Sequence, residues 1–128
     1  MIPREPTWTI AKTFEFSASH QLFGLEDGHK CSRLHGHNYR VTIEVTGPLD
    51  GNEMVLDYGR LDPFNDWLKG EVDHRHLNDL VDFNPTAERL AEWFYDHAER
   101  LLPPLPVGVR ITATRVMETT RTSAEFRP

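Results

Sequence analysis

The densest chemistry in the chain is the tripeptide His35-Gly36-His37. Residues two apart in a strand point to one face, and the glycine between them leaves room, so the pair can present two imidazoles to one metal ion. His20, at the end of Phe16-Ser17-Ala18-Ser19-His20, is the natural third ligand. If the two segments pair as an antiparallel hairpin, the end of the first faces the start of the second. Three neutral histidines leave the fourth position of a tetrahedral zinc open, which is the catalytic rather than the structural arrangement. A surface pair of histidines holding no metal is the competing reading, and the placed third histidine argues against it. Cys31 lies four residues before His35, with His29, Lys30 and Arg33 around it. Such neighbours favour the thiolate and hence reactivity. From the residue alone, an inert thiol and a fourth, site-closing ligand stay open as alternatives. In Asp73-His74-Arg75-His76-Leu77-Asn78-Asp79 a carboxylate adjoins a histidine, which suits proton transfer by fixing the tautomer and raising the basicity. Taken alone, that stretch reads first as a solvated polar loop. Glu118 follows an alternating segment and reads either as a buried ligand anchor or as a strand-end charge.

These side chains need elements to position them. Trp8, Ile10, Phe14 and Phe16 alternate with Thr9, Ala11, Thr13 and Glu15, and Tyr39, Val41, Ile43 and Val45 alternate with Arg40, Thr42 and Glu44. Period two predicts two strands with one buried face each. Gly47–Asn52 reads as a turn, and Met54-Val55-Leu56 as a brief strand. A helix is predicted over about Tyr58–Lys69, with Asp57 as N-cap, Gly70 as its stop and Pro63 in its first turns or bending it. A second helix is predicted from Asn84 as N-cap, with Pro85 at the first helical position, to about Leu101. Its stripe is Leu90, Ala91, Phe94, Ala98 and Leu101. The connection Glu71–Phe83 is polar. Val107, Val109, Ile111 and Ala113 predict a further strand, and Ser123–Phe126 a last short one. The order ββααββ predicts an α+β fold: an antiparallel sheet of about four strands with both helices on one face. Its two open edges favour an oligomer.

Composition narrows the function. The 128 residues fit one domain spanning 1–128. Fourteen basic against 20 acidic residues give a net charge of −6, which argues against a nucleic-acid module. No apolar run approaches the ~18 residues of a membrane span. Met1–Pro6 is polar and bears prolines, so it does not read as a signal peptide. One cysteine excludes an internal disulfide framework and fits a reducing cytoplasm.

The motifs together resemble the 6-pyruvoyl-tetrahydropterin synthase family, and more closely its bacterial branch that makes 6-carboxy-tetrahydropterin for queuosine. They occur in family order over nearly the whole chain: Phe16–His20, Gly28–Tyr39, Met54–Tyr58, Asp73–Asn78, Asn84–Glu88 and Val116–Thr119. The resemblance implies the tunnelling fold (T-fold), zinc on His20, His35 and His37, and catalysis by Cys31, Asp73 and His74. It implies substrate binding by Glu118, which would hold the pterin ring, and by Thr86. The implied reaction converts 7,8-dihydroneopterin triphosphate to 6-carboxy-5,6,7,8-tetrahydropterin, releasing acetaldehyde and triphosphate. The three residues between Cys31 and His35 match the carboxy-forming branch. The alternatives are triphosphate elimination alone, giving the 6-pyruvoyl product, and a non-catalytic, zinc-stabilised pterin-binding module. His76 departs from the family, which commonly has Asn or Tyr there. Lys30, Arg33 and Arg75 would give the polyanionic substrate a local positive patch. The family assembles trimers, which stack in pairs with active sites at subunit interfaces, so Cys31 and His74 need not meet Glu118 within one chain.

Overall fold

The structure, a computed structural model, describes residues 5–128. The first four residues of the Met1–Pro6 segment discussed above therefore lie outside the described residues. The elements, in order, are β1 (Trp8–His20), β2 (His35–Gly47), α1 (Asp62–Glu71), β3 (Arg75–His76), α2 (Ala87–Leu101), β4 (Arg110–Met117) and β5 (Ala124–Phe126). They build one five-stranded sheet in the order β3-β1-β2-β4-β5. The β1–β2 hairpin is its spine, and its register sets Phe16 opposite Tyr39, Ala18 opposite His37 and His20 opposite His35.

The alternation predicted for the first two strands holds from Phe14 onward, whereas Trp8, predicted to face inward, is 44% exposed. Phe14, Phe16 and Ala18 of β1 and Tyr39, Val41, Ile43 and Val45 of β2 are buried against the helices. Phe94 of α2 meets Phe16 edge-on at 5.5 Å, and Phe64 of α1 lies 5.6 Å from Phe14. Each such side chain contributes about 1.5–3 kcal/mol by leaving water. A bulge between Glu44 and Val45 shifts the β2–β4 register. Thr114 is buried, and its hydroxyl donates to the Ala91 carbonyl of α2, so the cost of burying it is met. The opposite face is polar: hydroxyl pairs link Thr9 to Thr46 and Thr13 to Thr42 across the strands.

The structure corrects several expectations. Met54–Leu56 forms no strand, although Val55 and Leu56 are buried in the core. The first predicted helix is two pieces, a 3-10 turn over Tyr58–Leu61 and then α1. Pro63 opens α1, where its missing N–H costs nothing, and Asp57 caps the 3-10 turn by accepting from the Gly59 N–H at 2.8 Å. Gly70 does not stop α1, which runs on to Glu71. Thr86, not Asn84, caps α2, its hydroxyl accepting from the Arg89 N–H at 3.2 Å. The sheet is mixed rather than purely antiparallel, because the polar Glu71–Phe83 connection contains β3, which pairs parallel to β1. Two residues are too few for any periodicity. No helix among the described residues is long and apolar enough to cross a membrane.

Candidate active site

The hairpin register does what the spacing of the histidines requires. His20 closes β1 opposite His35, and His37 follows on the same face of β2, so ligand atoms of all three lie within 4.8 Å of one another. Two of the rings are locked from behind. His20 Nδ1 lies 2.9 Å from the Pro85 carbonyl, and His35 Nδ1 lies 2.6 Å from the Arg33 carbonyl. A carbonyl only accepts, so each Nδ1 carries a proton, and in the neutral ring each Nε2 is then a lone pair. Those two Nε2 atoms face each other at 2.9 Å. Two lone pairs at that distance repel unless a cation lies between them. A proton is a poor candidate for that cation, because burial lowers the pKa of His20 against the opposing pull of the Pro85 carbonyl and of Glu118.

His37 completes the case for a metal. Its Nε2 is buried without a hydrogen-bond partner. Glu118 Oε2 stands 3.1 Å away, an ion-pair distance, but outside hydrogen-bond direction. Burial, the largest effect, lowers the pKa of His37 as well, although Glu118 acts to raise it. Three imidazoles converge with one nitrogen of each turned inward, and carbonyls fix the Nδ1 proton of two of them. This donor set suits a borderline-soft divalent cation. The residues present therefore fit a metal ion.

Beside this centre is a cavity of about 670 Å³, lined by His37, Tyr39, Lys69, Asp73, His74 and Glu118 among others. Asp73 follows α1 and is pinned by the Ser17 N–H, which donates to its Oδ1 at 2.8 Å. That bond, more than any other effect, holds the Asp73 carboxyl below its ordinary range. Its Oδ2 lies 3.1 Å from His74 Nδ1, so the predicted carboxylate–imidazole pair exists. His74 has φ of +62°, in the left-handed region. Such a backbone costs about 1–3 kcal/mol and persists only when its surroundings hold it. Here its N–H donates to the Ser17 carbonyl at 2.6 Å. The ring itself is 81% exposed, free to meet a substrate.

One chain thus brings Asp73, His74 and Glu118 to one cavity with His37. Cys31 does not line it. Its half-buried thiol belongs to a 3-10 turn over Lys30–Ser32, a few residues before His35. Thr86 lies outside the cavity lining as well, occupied as the cap of α2. His76 points its Nδ1 at the Ser19 hydroxyl, 2.9 Å away. Three residues of the site went unassigned in the sequence. Tyr39, whose hydroxyl is 3.2 Å from His20 Nδ1, was hidden in an apolar alternation. Burial pushes its phenol pKa well up, so it stays neutral. Lys69, 3.9 Å from Asp73 and four residues before it on α1, could have been found from that spacing. Ser17 acts through its backbone and left no signal.

Comparison with known proteins gives consistent results. A family profile described as 6-pyruvoyl tetrahydropterin synthase matches residues 9–128. The chain is 35% identical to a 6-carboxy-5,6,7,8-tetrahydropterin synthase from Synechocystis, over 93% of this chain and 92% of that protein. It is 31% identical to the protein of the same name from Bacillus subtilis, over 95% and 86% of the two chains. Among solved structures it is similar to the 6-pyruvoyl tetrahydropterin synthase of Caenorhabditis elegans, with a TM-score of 0.82, 25% identity and 99% of each chain covered.

Proposed function

The chain belongs to the 6-pyruvoyl tetrahydropterin synthase family, and on that footing we propose that it is a zinc-dependent lyase of the 6-carboxy-tetrahydropterin branch. It would convert 7,8-dihydroneopterin triphosphate to 6-carboxy-5,6,7,8-tetrahydropterin, with release of acetaldehyde and triphosphate, in the 7-deazapurine and queuosine pathway. The observation that carries this reading is the juxtaposition of three inward-facing imidazoles with a cavity holding the Asp73–His74 pair and Glu118. His20, His35 and His37 would hold the zinc, which when bound supplies Lewis-acid polarisation of a substrate oxygen. The Asp73 carboxylate orients the His74 ring through Nδ1, so that its other nitrogen can take or give a proton at the substrate side chain. Cys31 is the proton-transfer partner from the loop before His35. Glu118 accepts two parallel N–H bonds from the donor edge of the pterin, a charge-assisted pairing that fixes the ring. Arg40 and Lys69 add positive charge to the cavity lining beside a triphosphate substrate.

Names among the relatives support the choice of branch, as does the three-residue gap between Cys31 and His35. A cytoplasmic location fits the single free cysteine. The assembly proposed with this function is a trimer or a pair of trimers with active sites at subunit interfaces. A solution mass equal to one 14.8 kDa chain would remove it.

Cys31→Ala tests the assignment within the site. The expected variant keeps its metal and its fold but loses turnover by about two orders of magnitude or more. Loss of metal together with unfolding would instead make Cys31 a structural ligand, and unchanged turnover would remove it from the chemistry.

A further inference from the structure

The conspicuous asparagines of the Asp73–Asn78 and Asn84–Glu88 motifs have no part in the chemistry above, and Asn84 is not the helix cap its sequence suggests. Each makes the same unusual contact. The Gln21 N–H donates to Asn78 Oδ1 at 2.8 Å, and Asn78 Nδ2 donates to the Gln21 carbonyl at 2.8 Å. The Phe23 N–H donates to Asn84 Oδ1 at 3.1 Å, and Asn84 Nδ2 donates to the Phe23 carbonyl at 2.9 Å. In both, a side-chain amide pairs with both backbone groups of one residue, as a neighbouring strand would.

The residues held are two apart and continue a series. Along this edge of β1, Ser17 takes Asp73 and His74, Ala18 and Ser19 pair with β3, Gln21 takes Asn78 and Phe23 takes Asn84. The odd-numbered residues turn their backbone groups to one side, which is the period of a strand. The segment 73–84 thus runs beside the edge of β1 and beyond its end, first with backbone and then with side chains. What lies past that end is the loop carrying Cys31. The Leu22 N–H donates to the Cys31 carbonyl at 3.1 Å, and Gln21 Nε2 donates to the Ser32 carbonyl at 2.9 Å. Of the clamped residues, Gln21 touches the turn that bears the thiol, and Gln21 and Phe23 flank Leu22, which holds the Cys31 carbonyl.

We propose that Asn78 and Asn84 are positioning residues. Their amides act as surrogate strand partners that fix the Cys31 loop in register with the Asp73–His74 pair, from the one segment that carries all four. The alternative is that they merely stabilise the fold.

Cys31 is the chain's one cysteine, so thiol labelling reports on this loop without an added probe. The variants are Asn78→Asp and Asn84→Asp, which keep the shape but aim an acceptor at a carbonyl, with Asn84→Ala as a further change. The expected result is Cys31 labelling at least about tenfold faster in the holoprotein, with the rate flat in urea below the unfolding midpoint, because the loop opens locally. Labelling at the native rate would overturn the proposal. So would labelling that rises with urea in step with global unfolding. Should the variants fail to fold, hydrogen exchange on the unaltered protein decides: the Gln21 and Phe23 amides are expected to be protected, and exchange at free-loop rates would overturn the proposal. The consequence for turnover, a fall in kcat with KM within about twofold, rests on the function proposed above. An unaltered protein inactive on pterin, with the labelling and exchange results as expected, would refute that function and leave the positioning role of Asn78 and Asn84 standing.

Discussion

At the residue scale the site is built from lone pairs with fixed directions. Carbonyls of Pro85 and Arg33 hold the outer nitrogens of His20 and His35, and the register of one hairpin aims the inner ones. This much was legible in the sequence, because a strand's period and a hairpin's symmetry follow from spacing alone. The carbonyls behind the rings were not, since they belong to a loop and to the approach to α2. Glu118 has a separable role. Glu118→Ala is expected to leave metal content unchanged and to weaken pterin binding by about a hundredfold or more, the scale of two charge-assisted bonds lost to water. Titration calorimetry with a dihydropterin, alongside metal analysis, checks this. Undiminished pterin affinity would sink the assignment.

At the scale of elements, the long alternating strands and the stripe of α2 were readable, whereas short pieces were not. β3 has two residues and no pattern, yet it sets the Asp73–His74 pair against Ser17. Asn84 followed by Pro85 looks like a helix start, but the side chain is taken by Phe23 and the cap passes to Thr86. The contact between the helices also carries a pH dependence. His97 of α2 stacks on Trp67 of α1, with ring centroids 4.1 Å apart and planes 21° apart, and meets Trp93 at 4.9 Å. Burial, the largest effect, and Arg100 next lower its pKa in the folded state below the ordinary 6.5, although Asp96 opposes them. The unfolded chain therefore binds the proton more readily. The stability due to neutral, stacked His97 is complete above pH 6.5 and is lost as pH falls through the folded value. His20 and His37 shift the same way, so a variant must separate them. His97→Phe keeps the ring and removes the titration. Its urea midpoint is expected to fall less than that of the unaltered protein between about pH 7.5 and 5.5. An equal fall in both would refute the role given to His97.

At the scale of the whole molecule, a net charge of −6 looks ill-suited to a triphosphate substrate. The cavity offsets part of this, since Arg40 and Lys69 contribute to its lining beside the acidic groups. The whole sheet serves one end of its strands, where the end of β1, the start of β2 and the segment 73–84 come together with Glu118 just beyond β4. Family membership alone does not separate a 6-carboxy from a 6-pyruvoyl product, so the product itself discriminates. The most direct measurement is incubation of the zinc-loaded protein with 7,8-dihydroneopterin triphosphate, reading products by mass with and without a chelator. The account predicts 6-carboxy-tetrahydropterin and acetaldehyde, abolished by the chelator and restored by zinc. A 6-pyruvoyl product with no loss of the side chain, or turnover indifferent to the chelator, would contradict it.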